Sequence, residues 1–434
     1  MNSTEPLKDK NMENTTALNK VHPCFDKEAK MKYARIHIPV APKCNVQCGY
    51  CNRKYDCVNE SRPGVTSSIL KPFQALNYIR AISQKITNIS TIGIAGPGDA
   101  FAEPEKTLES IRLIKKEFPD KIFCLSSNGL NVLPYIDEIA ELNVTHVTLT
   151  INSFRLETLQ KIYTWVRHDK KVYRGIEAAK VMLSQQGETL KALVAKGIVV
   201  KINSVIIPGV NETEMEEVAE KVAELGATTM NCIPLIPTEG SAMEGLEKPT
   251  GEMVRNIIRS IHKFIKPMTH CARCRADAAG MLGKDDTGAY KLIEQCSVMP
   301  TAIDKTRPYV AIASYEGLMI NKHLGEADDF LIYKQTDTGY ELVEKRLAPP
   351  KGMGDLRWIN LAKKLNDCSY ILVNGVGAKP VDLLQKVGIA VVEMSGLIDD
   401  GLDAVYKGIK LKSVIKTTMT KCGSSCGGNA LGCG

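Results

Sequence analysis

Aromatic residues are scarce in this chain of 434 residues, at 6%, and tryptophan occurs only twice. No apolar run approaches the roughly 18 residues of a membrane-spanning helix, so none is expected. The N-terminal stretch MNSTEPLKDKNMENTTALNK is polar and holds no apolar core for an export signal. A cytoplasmic location is therefore expected, and a secreted disulfide framework is not. Lysine and arginine are scattered rather than blocked. The net charge of +7 thus draws no nucleic-acid stripe, and it favours small anionic ligands instead. Internal repeats are also absent. Cysteine, by contrast, is in excess, with 14 residues. A chain of this length builds a sizeable core without disulfide staples. In a reducing compartment the thiols are then core residues, metal ligands or catalysts.

Residues 1–20 have the composition of a disordered segment. From about 33 to 265, short β-branched runs alternate with longer helical patterns. The strand candidates are ARIHIPV (34–40), TIGIAG (91–96), IFCLSS (122–127), HVTLTI (146–151), VVKINSVII (199–207) and TTMNCIPLI (228–236). Helical stretches lie between them at Pro72–Lys85, Pro104–Glu117, Val132–Glu141, Tyr173–Ala195 and Glu212–Leu225. This alternation implies parallel βαβ units. The expected fold is α/β, a partial (β/α)6 TIM-like barrel over residues 21–300, with its chemistry at the C-terminal strand ends. A second α/β pattern fills 308–415, with strand candidates at 309–314, 329–335, 340–346, 370–375 and 390–394. Its helix candidates are Gly354–Leu365, Val381–Val387 and Gly401–Ile409. Residues 416–434 form a tail rich in glycine and cysteine.

Cys44, Cys48 and Cys51 read C-x3-C-x2-C directly after the first strand candidate. Three thiolates can hold three irons of a [4Fe–4S] cluster and leave the fourth open. The amino and carboxylate groups of S-adenosylmethionine suit that open iron. An electron from the cluster then cleaves the sulfonium and releases a deoxyadenosyl radical. A zinc knuckle is the competing reading. It calls for paired C-x2-C elements and four closed ligands, and no such pair lies nearby. The motif resembles the radical S-adenosylmethionine superfamily. Gly96-Pro97-Gly98-Asp99 resembles that superfamily's glycine-rich motif, whose backbone contacts the methionine amino group. Ser126, Ser127, Asn128, Asn152 and Asn203 fall at successive strand ends, where polar groups can hold the carboxylate and ribose. Taken singly, each is an ordinary turn or cap residue.

Further candidate ligands surround this motif. They are His22 and Cys24 before the first strand, Cys57 after the loop, Cys124 in the third strand, and Cys271 with Cys274. Cys124 alone could be a small core residue, and His22 a loop histidine. The C-x2-C at 271–274 has metal-ligand spacing. Six ligands suffice for two further clusters with three protein ligands each.

The segments HPCF (22–25), CNVQCGYCNRKYDCVNESRPGV (44–65), AGPGDAFA (95–102), IYTWVR (162–167), KINSVIIPGVN (201–211), NCIPLIP (231–237) and CARCRADAAG (271–280) together resemble the nitrogenase cofactor-maturase family. The resemblance spans about residues 20–430. It implies an enzyme that fuses two [4Fe–4S] clusters into an eight-iron core, with a carbide from the S-adenosylmethionine methyl group and a ninth sulfur. It implies that His22, Cys57 and Cys124 hold one precursor cluster, and that Cys24, Cys271 and Cys274 hold the other. It further implies a proton relay or labile ligand at Glu60, with Arg62 beside it, although a surface salt pair explains the two equally. The implied partners are cofactor scaffold or carrier proteins, an iron–sulfur donor and a reductant such as ferredoxin or flavodoxin, without nucleic acid or membrane.

Residues 308–415 resemble the family's NifX-like cofactor-binding domain, of ribonuclease-H-like topology, with His323 in the matching loop. Either a cluster contact or an ordinary surface histidine suits His323. The tail residues Cys422, Cys426 and Cys433 are candidate iron ligands or incidental thiols, and Cys232, Cys296 and Cys368 read as structural. Two other functions fit parts of the pattern. A radical peptide maturase would concentrate its extra cysteines in a C-terminal extension, whereas here a His-Pro-Cys unit precedes the radical motif. A cluster scaffold would leave the radical loop idle.

Overall fold

The computed structural model describes residues 21–59, 64–269, 271, 274–297 and 306–407. Glu60, Arg62 and the tail cysteines lie outside the described residues. Two compact units divide after Ser297.

The first unit is built on β1 (Ala34–His37), β2 (Ile89–Ile94), β3 (Ile122–Ser127), β4 (Val144–Thr150), β5 (Val199–Ile206) and β6 (Thr229–Pro234). Their spatial order follows their chain order, and every neighbouring pair is parallel. Lys266–Pro267 adds a short parallel strand beside β6, and Ala279–Met281 runs antiparallel beside β1. This is the expected partial barrel, with its (β/α) units intact. Helices α1 (Pro72–Ser83), α2 (Pro104–Glu117), α3 (Ile136–Glu141), α4 (Gly175–Ala195) and α5 (Met215–Glu224) connect the strands. Proline at the first turn suits α1 and α2, because that position needs no amide hydrogen. In α2, Leu108, Ile111 and Ile114 recur at helical spacing and are fully buried.

The two faces of this sheet differ. Leu125, Val147 and Val200 stand in register on one face, as do Leu149, Ile202 and Met230, and all six are fully buried. The other face is polar. His37, Gly93, Cys124, His146 and Val199 form its first row. Ser126, Thr148, Lys201 and Thr229 form the second, and Thr150, Asn203 and Asn231 the third. Rows two residues apart share a face because strand side chains alternate. A barrel of this type ordinarily fills its interior with branched apolar residues, so the polar rows mark a space built to hold something.

Two expectations shift at the edges. Asn203 falls within β5 rather than at its end. The helix expected from Tyr173 starts at Gly175, because Lys171–Tyr173 pairs as a strand with Tyr163–His168. Neither of those two strands is among the sequence-based candidates.

The second unit holds β7 (Tyr309–Ile312), β8 (Asp329–Thr336), β9 (Gly339–Leu347), β10 (Cys368–Val373) and β11 (Ala390–Glu393). The sheet order is β9-β8-β7-β10-β11. β8 is antiparallel to both its neighbours, and β7, β10 and β11 are mutually parallel. This is the ribonuclease-H-like arrangement. Helices α6 (Asp355–Lys364), α7 (Ala378–Lys386) and α8 (Ile398–Lys407) accompany it. Among the described residues, no helix is long and apolar enough to cross a membrane.

Candidate metal centre

The cysteine loop is held from outside the barrel rows. Val46–Cys48 pairs antiparallel with the strand Tyr163–His168, matching Val46 to Val166 and Cys48 to Tyr163. The Gly49 amide donates to the Ile162 carbonyl at 2.7 Å, and the Met243 amide donates to the Gly49 carbonyl at 2.9 Å. Tyr50 is fully buried. Its hydroxyl donates to Asn59 Oδ1 at 2.8 Å and accepts from Asn152 Nδ2 at 2.9 Å. Asn152 Oδ1 also accepts the Val205 amide at 2.8 Å. Asn152 therefore fixes Tyr50 against β5 and is committed to the scaffold. Asn203 likewise donates to the Asn59 carbonyl at 2.7 Å.

Cys44, Cys48, Cys51 and Cys57 line one cavity of about 450 Å³, together with Arg53, Gly98, Asp99, Ser126, Ser127, Asn128 and Thr150. Burial raises the pKa of each thiol, that of Cys44 to about 12. Iron binding here would release protons. Among the described residues, no three His, Cys, Asp or Glu side chains close around a single-ion site. Asn45 supplies a sign of fit. Its Oδ1 accepts from Asn128 Nδ2 at 2.7 Å, yet its own buried Nδ2 has no partner among the described residues. A buried donor left this way asks for an acceptor on a guest.

Gly98 and Asp99 act chiefly on the backbone. A Cβ on Gly98 would lie 2.0 Å from the Lys43 carbonyl oxygen, so only glycine lets the two loops approach. The Gly98 amide donates to Ala41, and the Asp99 amide to Lys43 at 2.8 Å. The Asp99 carboxylate accepts the amides of Phe101 at 2.8 Å and Asn128 at 2.6 Å, and also the Ser127 hydroxyl. Burial still pushes its pKa up to about 6. Gly96 adopts a φ of +131° before a cis bond to Pro97 and is not among the residues that line the cavity. Arg53 carries no signal in its sequence pattern. Its guanidinium spans the carbonyls of Pro42 at 2.7 Å and Pro97 at 3.3 Å while facing Cys44, Cys51 and Cys57.

Beneath the cavity lies a second gathering of ligand-type residues. The His22 ring meets the His146 ring at 4.4 Å between centroids, and Phe25 packs on both. Burial holds His22 well below its ordinary pKa, His37 at about 4 and His146 at about 3. All three imidazoles are neutral at pH 7. His22 Nδ1 accepts the Cys24 amide at 3.1 Å, which leaves the ring proton on Nε2. Nε2 is buried and has no partner among the described residues. Burial also raises the Cys24 thiol, with Cys274 and Cys124 as neighbours.

Cys274 is brought here by the strand that follows it. Ala279–Met281 pairs with β1, and buried Arg35 donates to the Gly280 carbonyl at 2.6 Å, to Cys274 Sγ at 3.0 Å and to Asp285. Arg275 pairs with Asp277 at 2.7 Å, and Asp277 accepts the Ser67 amide at 2.8 Å. Cys274 is thus fixed, whereas Cys271 is exposed.

The structure sets five of the six auxiliary ligands on two levels, and the sixth, Cys271, is exposed. Cys57 joins the upper cavity, its amide bound to the Pro97 carbonyl at 3.0 Å. His22, Cys24, Cys124 and Cys274 gather lower. Cys232, Cys296 and Cys368 are buried within or beside regular elements. In the second unit, His323 Nδ1 accepts the Gly325 amide at 3.0 Å, and its ring covers Gly375, where a Cβ would lie 2.6 Å away. His37 and His146 join the site without a motif to mark them, and Lys201 joins it from the head of the segment KINSVIIPGVN, where it is not among the candidate ligands.

Comparison with known proteins accords with both units. Residues 38–222 match the Radical SAM superfamily, and residues 306–408 match the family described as Dinitrogenase iron-molybdenum cofactor. The chain is 48% identical to the FeMo cofactor biosynthesis protein NifB of Chlorobaculum tepidum, over 95% of this chain and 99% of that protein. It is 37% identical to the protein of the same name from Klebsiella pneumoniae, over 85% and 86%. A crystal structure of methylornithine synthase is a distant likeness, at 13% identity and TM-score 0.38, over 61% of this chain and 72% of that one.

Proposed function

Since the chain belongs to the NifB family, as a radical S-adenosylmethionine enzyme of FeMo-cofactor biosynthesis, we propose that it makes the eight-iron precursor of that cofactor. Two [4Fe–4S] clusters are the substrates. A carbide derived from the S-adenosylmethionine methyl group and a ninth sulfur enter as the clusters fuse, a lyase- and transferase-type reaction. The observation that carries this reading is the polar barrel interior. Rows bearing Cys124 and His146 run up to a cavity that holds the radical-motif thiols.

Cys44, Cys48 and Cys51 are the residues to hold the resident cluster, and a cavity lined by these three thiols fits it. When bound, that cluster supplies the electron that cleaves S-adenosylmethionine. The buried, unpartnered amide of Asn45 lies beside cavity-lining Asn128 and can serve a bound group there. Asp99 orients Asn128 and Ser127 toward the same space. Following the family pattern, His22, Cys57 and Cys124 take one substrate cluster, and Cys24, Cys271 and Cys274 take the other. For Nε2 of His22 to ligate as a neutral imidazole, its proton must move to Nδ1, and the Cys24 amide contact must yield. Such a ligand leaves more readily than thiolate and suits a cluster that is consumed. Glu60, with Arg62 beside it, is assigned a proton relay or the place of a labile cluster ligand. Stacking the two levels in one barrel keeps methyl donor, radical source and acceptor within reach, and proximity of this kind dominates such reactions. The product passes to carrier or scaffold proteins, and a ferredoxin or flavodoxin supplies electrons.

Transfer of labelled methyl carbon tests the proposal. Anaerobically reconstituted protein should release both deoxyadenosine and S-adenosylhomocysteine and place the label in an isolated eight-iron product. Deoxyadenosine alone, with no label in any cluster, rejects it.

A further inference from the structure

The three polar rows differ in charge. The upper row offers the hydroxyl of Thr150 and the amides of Asn203 and Asn231, and the lower row offers His37, Cys124 and His146. Between them, in register with Thr148 and Thr229, stands Lys201, only 8% exposed. It is two residues above Val199, which pairs with His146, so it projects from the same face. His22, Cys24, His37 and His146 all lie within its electrostatic reach. Ser126, in the same row, lines the radical cavity. The ammonium therefore sits between the lower ligand group and the cavity floor. An ammonium drawn out of water weakens a fold unless polar or anionic groups face it. The interior is arranged to keep one here.

We propose that Lys201 is the countercharge of the substrate cluster, a positioning residue that holds anionic iron–sulfur cargo between the lower ligands and the radical cavity. This deepens the proposed maturase function and rests on it. With three thiolates an oxidised [4Fe–4S] cluster is net negative, whereas with two thiolates and a neutral imidazole it becomes net negative only on reduction and is retained less firmly than the all-thiolate one. A fixed cation within the barrel offsets that weakness without adding an iron ligand, so the cluster is held yet free to react. In this low-dielectric setting a single charge acts strongly.

The test compares the full-length wild-type chain with Lys201→Met and Lys201→Arg, each reconstituted anaerobically with iron and sulfide and then desalted. Wild-type protein should retain about twelve irons, three clusters of four. Lys201→Met should retain about eight, and Lys201→Arg should match the wild type. The change that S-adenosylmethionine causes in the electron paramagnetic resonance spectrum of the radical cluster should persist in all three. Equal iron content and spectra in Lys201→Met overturn the inference alone. Retention of only about four irons by the wild type overturns the underlying function, and this inference with it. Should Lys201→Met fail to fold, reductive methylation of wild-type protein answers the same question. Lys201 should be labelled several-fold less after cluster loading, and equal labelling overturns the proposal.

Discussion

The two sheets of this protein use their faces differently. In the C-terminal unit both faces are apolar. Ala311, Phe330, Ile332, Ile371 and Val373 bury one side with Trp358, and Val310, Ile312, Tyr370 and Leu372 bury the other with Leu402. In the barrel the outer face is equally apolar, but the inner face gives its rows to cysteine, histidine, lysine, threonine and asparagine. Burial of apolar area stabilises a fold at about 25 cal/mol per Å². The barrel forgoes much of that gain on one face, whereas the C-terminal sheet forgoes it only along its edge strand β9, where Leu342, Val343 and Leu347 are exposed. A sheet that carries chemistry on its inner face depends on its connecting helices, and on what it binds, for the stability that packing supplies elsewhere.

The largest expected effect separates the units completely. Cys48→Ala should abolish release of deoxyadenosine while leaving the C-terminal unit's melting unchanged. Residual turnover in a cluster-replete sample would show that the cavity thiols are not the ligands.

Phe330→Ala should do the reverse. Phe330 is 1% exposed in the apolar C-terminal core, and such truncations cost about 3–5 kcal/mol. Denaturant unfolding should show that loss in the C-terminal transition, with deoxyadenosine release unaffected. A parallel loss in both units would break the contrast between them.

The third test uses pH. The folded pKa values of His37, about 4, and His146, about 3, lie below the ordinary 6.5. Between pH 7 and pH 5 the unfolded chain takes up protons that the native imidazoles refuse, so stability falls with acidification by about 2 kcal/mol per imidazole. Asp99, raised to about 6, opposes this, because the native carboxyl takes up a proton first. Its contribution over the same range is about 1 kcal/mol. The cluster-free barrel should therefore lose stability from pH 7 to 5 in urea titrations, and His146→Gln should lessen the drop. A barrel equally stable at both values would mean that these imidazoles are not buried in solution.

The smallest effect concerns division of labour. A chain ending at Thr306 should still cleave S-adenosylmethionine and form the eight-iron product at near wild-type rate. Failure of a well-folded, cluster-loaded form would mean that the C-terminal unit takes part in the chemistry.

Much of this is legible in sequence because periodicity and turn residues are local. The strand IFCLSS appears over its full predicted length at Ile122–Ser127, and Pro104–Glu117 begins and ends where its proline and amphipathic pattern direct. The cysteine spacing likewise identifies the radical loop. The strand Tyr163–His168 is not legible, because its partner is the cysteine loop itself, more than a hundred residues earlier, and no local pattern signals that pairing. Strand-end position suggests cofactor contacts for Asn152 and Asp99, and only the structure shows that their side chains also bond Tyr50, Ser127 and the Asn128 amide while Asp99 lines the cavity.

The sequence by itself determined the order of strands and helices, the three-cysteine motif and the inventory of further ligands. These rest on spacing along the chain. Only the tertiary structure decided which ligands share a level. It carried Cys57 up to the radical cavity, set His146 beside Cys124 in one register row, and laid the His22 ring against that histidine. The physical reason is strand register. Which residues of separate βαβ units stand side by side depends on the pairing of whole strands, and no spacing within one segment encodes it.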